Sequence, residues 1–269
     1  MTHPSKAMLS YAQFVTVINK VQKLGQKLLS DASEVKDIGH MKRLVAEVDG
    51  QIEREITNHI KTFGNEHAFY HAEHGQPYEE ANHLWVIDPI SNTFNFIHGL
   101  PHFALVVTYL YRTVPQFTVV YDPVSDETFT ALKNGGVYLN GKRVAVGNQS
   151  LGDGAIMFYP LGIIAAGERK RVAQLVLNAL WDVGIVRCLG SVAIHQAYVA
   201  CGRAMASVTV NKDVYAEFAG QLLVEEAGGI VRDFDDRYLT PRSQGIIGAC
   251  NRHAYREIFN RVNMGLFSA

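Results

Sequence analysis

Residues 85–101 read Trp85-Val86-Ile87-Asp88-Pro89-Ile90-Ser91-Asn92-Thr93-Phe94-Asn95-Phe96-Ile97-His98-Gly99-Leu100-Pro101, and this stretch decides the fold. Its opening, Leu84 to Pro89, is an apolar run that meets an acid and then a proline. That pattern predicts a short buried strand ending at a turn. An acid at such a strand end has two uses. It can cap the helix that follows, or it can offer hard oxygens to a cation.

Upstream, Val15, Val17, Ile18, Val21, Leu24, Leu28 and Leu29 recur at helical spacing, which predicts an amphipathic helix over Ser10 to Leu29. A polar loop is expected from Ser30 to His40. A second helix is expected from Val45 to Lys61, with Val45, Val48, Ile52, Ile56 and Ile60 on one stripe. Downstream, Phe103 to Tyr111, Phe117 to Tyr121 and Glu127 to Ala131 read as strands. Asn134-Gly135-Gly136 and Asn140-Gly141 are turn signals after them. The middle third therefore reads as an antiparallel meander.

The second half alternates. Strands are expected at Ala155 to Phe158, Gly184 to Cys188 and Ala206 to Val210. Helices are expected at Arg169 to Leu180, Val192 to Ala200, Glu217 to Ala227 and Arg252 to Val262. Gly228-Gly229 stops the third of these helices. The pattern is layered α/β, with antiparallel strands first and βα alternation later. One unit over 1–269 is expected, with an α+β part over 1–150 and an α/β part over 151–269.

Composition sets the outer limits. Hydrophobic residues make up 48% of the 269 and charged residues 19%, with a formal net charge of −1. Such a balance gives no bulk electrostatic signal for nucleic acid or a membrane surface. Cys188, Cys201 and Cys250 are odd in number and lack C-x-x-C spacing, so thiols in a reducing compartment are expected rather than a disulfide framework. Met1 to Ser10 lacks the apolar core of a signal peptide. No apolar run reaches the roughly 18 residues that span a bilayer. A cytoplasmic protein is the expectation.

The stretch 85–101 resembles W-x-x-D-P-[IL]-D-G-T-x-N-F-x-x-G-x-P, the signature of the Mg²⁺-dependent inositol monophosphatase family. Tyr215 to Gly229 resembles that family's W-D-x-A-A-G-x-L-L-V-x-E-A-G-G. Leu189-Gly190-Ser191-Val192-Ala193, running on to Gly202-Arg203, resembles G-S-A-A-x-x-x-x-Y-V-A-A-G-R. The resemblance covers nearly the whole chain and implies the family's αβαβα sandwich. It also implies a phosphomonoesterase site in which clustered Mg²⁺ ions activate a water and neutralise phosphate oxygens.

Carried over position by position, the resemblance divides the site. Glu73 falls on the first acid of a G-E-E-type loop, while His74 replaces the second. Asp88 falls on the first signature Asp, and the Ile90 carbonyl remains as a metal ligand. Ser91 replaces the second Asp. Asn92 replaces a Gly, and Asn tolerates a left-handed backbone better than most residues. Thr93 is retained and Asp49 falls on its helix partner; with Glu73 they form the expected catalytic set. Ala216 replaces the Asp of W-D-x-A, and Tyr215 its Trp. Thr209 stands where many relatives carry an acid that contacts substrate hydroxyls. Ser91, Asn92, Thr93, Gly190 and Ser191 are the implied phosphate-binding residues, the anion sitting at the start of a helix.

The resemblance thus implies one metal position held by Glu73, Asp88 and Ile90, and a second position that Ser91 and Ala216 have stripped of acids. One weakly held Mg²⁺ ion, or none, is expected, because Mg²⁺ dehydrates reluctantly for a poor ligand set. The cost in rate is roughly 10³-fold or more. A three-residue insertion could instead align Asp213-Val214 with the missing Asp. Thr93 and Asp49 also read as a plain structural pair. His71 and His74 read as a weak transition-metal pair or as loop residues, and His98 and His102 as shapers of the loop around Gly99. Lys142-Arg143 and Arg169-Lys170-Arg171 read as solvated basic faces. Two functions stay open: a non-catalytic protein that binds an anion or a regulatory protein partner, and a Mg²⁺-dependent phosphatase of inositol monophosphate or a small sugar phosphate. A homodimer is expected from the family, and some bacterial relatives bind transcription machinery.

Overall fold

Helix α1, Tyr11–Ser33, begins with a capping box. The Ser10 side chain accepts from the Gln13 amide while the Gln13 side chain accepts from the Ser10 amide. Its inner face, Phe14, Val17, Val21, Leu24 and Leu28, packs beside α2, Ile38–Lys61, whose stripe runs from Val45 to Ile60. The computed structural model describes residues 9–35, 37–71, 81–149, 152–159, 168–181, 183–210, 215, 217–240, 243 and 245–267.

Seven strands follow: β1 Ala68–His71, β2 His83–Ser91, β3 Ala104–Tyr111, β4 Val114–Asp122, β5 Glu127–Leu132, β6 Gly136–Leu139 and β7 Lys142–Val144. They form one sheet in sequence order. The short helix α3, Thr93–Ile97, leaves the end of β2. A second, five-stranded sheet has the order β11-β12-β10-β8-β9, from β8 Ala155–Tyr159, β9 Ile185–Arg187, β10 Ala206–Val210, β11 Ile230–Asp233 and β12 Gly245–Ala249. Its helices are α4 Glu168–Trp181, α5 Val192–Ala200, α6 Glu217–Glu226 and α7 Arg252–Phe267.

The layers follow from which strand faces are apolar. Trp85, Ile87, Leu105, Val107 and Tyr109 point to α1 and α2. The alternate residues Leu84, Val86, Val106 and Val120 pack on α5 and α6, which also cover Met157 and Ile246 of the second sheet. The far face of that sheet, Phe158, Val208 and Ile247, packs on α4 and α7. The result is the αβαβα sandwich. Helices α5 and α6 form its central layer and are buried almost all round.

Several features depart from the sequence reading. The expected loop Ser30 to His40 shrinks, because α1 continues to Ser33 and Asp37 caps α2 through its side chain. Strand β2 does not end at Pro89. Its ladder with β3 resumes at Ser91 after a register shift that begins at Asp88, and such an irregularity accommodates a residue without an N–H. The first sheet is not wholly antiparallel, because β1 pairs parallel with β2. Strands β11 and β12 were not expected; in Gly245-Ile246-Ile247-Gly248-Ala249 only Ile246 and Ile247 favour a strand, too short a run between glycines to signal one.

Candidate active site

The end of β2 delivers Asp88, Ile90 and Ser91 to one edge of the sandwich, and Asn92 turns the chain into α3. Asn92 has φ of 71°, in the left-handed region, and its side-chain oxygen accepts from the Asn95 amide at 3.2 Å. The expected role of an Asn at that position is therefore met by a helix cap in a left-handed conformation. The Thr93 hydroxyl donates to the Ile90 carbonyl at 3.2 Å.

The second sheet brings its own turn to the same place. Gly190 has φ of 108°, and a Cβ there would run into the side-chain Nδ2 of Asn92. The backbone favours glycine, and any other residue would force the Asn92 side chain to move. Ser191 then caps α5, accepting from the Ile194 amide at 3.4 Å. Its hydroxyl lies 3.0 Å from the hydroxyl of Ser91, in a buried contact that links residues one hundred positions apart. Asn95 fastens the two turns together: its Nδ2 lies 3.0 Å from the Pro101 carbonyl, 3.1 Å from that of His102 and 2.7 Å from that of Leu189.

The carboxylates are arranged around this knot. Asp88 is only 9% exposed. Asp49 and Glu53 are buried one turn apart on α2, which packs against α3. Glu53 is an acid that the sequence reading passed over, although its place four residues after Asp49 puts it on the same face. Glu217 is a second such acid. It follows Ala216 directly, opens α6 and is wholly buried, with Gln196 Nε2 donating to it at 2.6 Å. The signal was in the sequence, in an acid set among Tyr215, Phe218 and Ala219. Burial pushes the Tyr159 phenol above its ordinary pKa, and the carboxylates of Glu217 and Asp88 add to the shift. Tyr159 therefore lies within electrostatic reach of both acids.

His195, in α5, is fully buried. Its Nε2 accepts from the Leu189 amide at 3.2 Å, so the ring proton sits on Nδ1. Burial, and then the neighbouring His102, hold its pKa down at about 3. This neutral imidazole stiffens the turn that presents Gly190.

Thr209 is 1% exposed within β10, paired with Tyr159 and Ile246. Glu73, His74, Asp213 and Ala216 lie outside the described residues, as does the side chain of His71.

Asp88 and the Ile90 carbonyl are hard oxygens of the right kind for Mg²⁺, and the carbonyl accepts from the Thr93 hydroxyl. On the other side stands Ser91, neutral and already bonded to Ser191. Among the described residues no group of three or more His, Cys, Asp or Glu side chains is placed to hold a metal. The residues present fit one ion in part and do not fit a second at Ser91.

The profile of the inositol monophosphatase family matches residues 10–263, so the chain belongs to that family. Among its relatives, "Nus factor SuhB" of Pseudomonas aeruginosa is 35% identical over 198 residues, 72% of this chain and 73% of the relative. "Fructose-1,6-bisphosphatase/inositol-1-monophosphatase" of Thermotoga maritima is 31% identical, covering 86% of this chain and 88% of the relative. Among solved structures, the extragenic suppressor protein suhB of Bartonella henselae superposes with a TM-score of 0.80 at 25% identity, over 94% of this chain and 99% of that one.

Proposed function

We propose that this chain is a binding or regulatory member of the inositol monophosphatase family, with phosphatase activity impaired by loss of the second metal position. One observation carries the reading. At the position of the second signature acid, the Ser91 hydroxyl is buried and bonded to the Ser191 hydroxyl 3.0 Å away. A neutral pair of this kind supplies no charge to a cation beside the leaving oxygen. Magnesium, when bound at Asp88, Ile90 and Glu73, would supply electrostatic stabilisation of phosphate oxygens. This chain's own groups orient that half: Thr93 braces the Ile90 carbonyl, and Gly190 and Ser191 bring the start of α5 alongside. A regulatory role is in keeping with a relative named Nus factor SuhB. The reading extends to a homodimer and a protein partner.

A second reading is favoured by Glu217. A buried acid next to Ala216, near the same phenol as Asp88, could compensate for the lost ligand. The chain would then be a Mg²⁺-dependent phosphatase of inositol monophosphate or a small sugar phosphate.

Phosphate release from inositol 1-phosphate and a panel of small phosphomonoesters, with and without millimolar Mg²⁺, separates the two. The first reading expects release at least about 10³-fold below an intact relative. Turnover within about tenfold of that relative would sink it in favour of the second.

A further inference from the structure

The edge where β2, α3 and α5 meet carries several hydroxyls, and they differ in what they can reach. Those of Ser91 and Ser191 belong to buried residues and are turned to each other at 3.0 Å. Ser191 also accepts the Ile194 amide at 3.4 Å. Thr93 donates to the Ile90 carbonyl at 3.2 Å. Thr209 is buried within β10.

Tyr159, the last residue of β8, is the exception. Along that strand Met157 packs with the α5–α6 layer and Phe158 with the layer of α4 and α7. Strand alternation therefore turns Tyr159 back toward α5 and α6. The parallel register sets its height. Arg187 of β9 is level with Met157, and the same register two residues on brings Leu189 level with Tyr159, just before the Gly190–Ser191 turn. On its other side Tyr159 pairs with Thr209. Strands β8, β9 and β10 run parallel, and the carboxyl ends of parallel strands are where α/β sheets place ligands.

Tyr159 is partly exposed. Among the described residues its hydroxyl makes no hydrogen bond, and it is not one of the enclosed polar atoms. A phenol keeps its proton at neutral pH, so this hydroxyl can donate. Asp88 and Glu217 are within electrostatic reach of it. Both are acceptors and repel an anion, so what holds a phosphate here must be donors. The start of α5 offers backbone N–H groups, and Tyr159 offers an O–H. A hydrogen bond from a hydroxyl to a charged oxygen is roughly twice as strong as a neutral one.

We propose that the Tyr159 hydroxyl is a ligand-binding group of this edge, donating to a phosphate oxygen of an anion seated at the Gly190–Ser191 turn. The proposal rests on the reading of that turn as a phosphate site, and it holds for a binding protein and for a phosphatase alike.

The test is a titration of the full chain with inorganic phosphate at millimolar Mg²⁺, followed by amide NMR and by the Cζ signals of ¹³C-labelled tyrosine. Potassium chloride is the ionic-strength control. Saturating shifts at Gly190, Ser191 and the Tyr159 Cζ are expected, with one shared Kd on the order of 1 mM. Tyr159→Phe keeps the ring and removes only the hydroxyl, and it should weaken phosphate binding about tenfold. Unchanged affinity in that variant, with saturation at Gly190 and Ser191 intact, would overturn the proposal and leave the phosphate site standing. A native chain that saturates at Gly190 and Ser191 without a shift at the Tyr159 Cζ would do the same. No saturation at Gly190 and Ser191 in the native chain would overturn the phosphate site and the proposal with it.

Discussion

Asp88 and Glu217 are both buried carboxylates near Tyr159, yet they are held in opposite ways. Asp88 lies near the end of β2 at the edge of the sandwich, 9% exposed, two residues before a carbonyl that accepts from the Thr93 hydroxyl. Glu217 starts a helix in the central layer, wholly enclosed, with an amide from α5 closed down on it. The first arrangement sets an acid where the signature strand reaches the sandwich edge, beside the start of α3. The second spends an oxygen on joining two helices, in a layer where an unpartnered charge would be strongly destabilising. An acid close to the right place is therefore not the same as an acid on the signature strand itself.

The largest test of this contrast restores the lost charge. Ser91→Asp with Ala216→Asp should raise Mg²⁺-dependent phosphate release by roughly 10²- to 10³-fold. No gain would mean that the difference between the two acids is not what limits the site. Gly190→Ala comes next. Its φ of 108° and the Asn92 amide in the way of a Cβ should cost about 2–4 kcal/mol in urea unfolding. A loss under about 0.5 kcal/mol would show that the two turns are not locked together.

Asn95→Ala removes the donor that serves Pro101, His102 and Leu189, and about 1–3 kcal/mol should be lost. The effect should appear as faster amide exchange at Gly99, Leu100 and His102 and in residues 189–191. His195 gives a pH signature. Its folded pKa of about 3 lies below the unfolded value, so the unfolded chain takes up a proton first as pH falls. Its contribution is complete above about pH 6.5 and declines by about 1.4 kcal/mol per pH unit until about pH 3. His195→Gln should flatten that slope between pH 6 and 4 by one proton. The smallest effect is expected from Glu217→Gln, because an amide can still accept from Gln196. Mg²⁺ affinity by calorimetry should change less than about twofold. A tenfold loss would place Glu217 among the ligands and favour the phosphatase reading.

Local signals determined a large part of this molecule in advance. The helical stripes of α1 and α2 and the spans Val192–Ala200 and Ala206–Val210 follow from apolar periodicity, which depends only on neighbours in sequence. The ordered motifs around Asp88, Ser191 and Gly228 carried the family, and with it the layered architecture. The left-handed turn at Asn92 was legible because few residue types occupy that conformation. Tertiary structure alone decided the parallel pairing of β1, the Ser91–Ser191 contact and the enclosure of Glu217 by Gln196. The physical reason is the same in each case. These are contacts between atoms far apart in the chain, and their geometry exists only once α5 and α6 are seated between the two sheets.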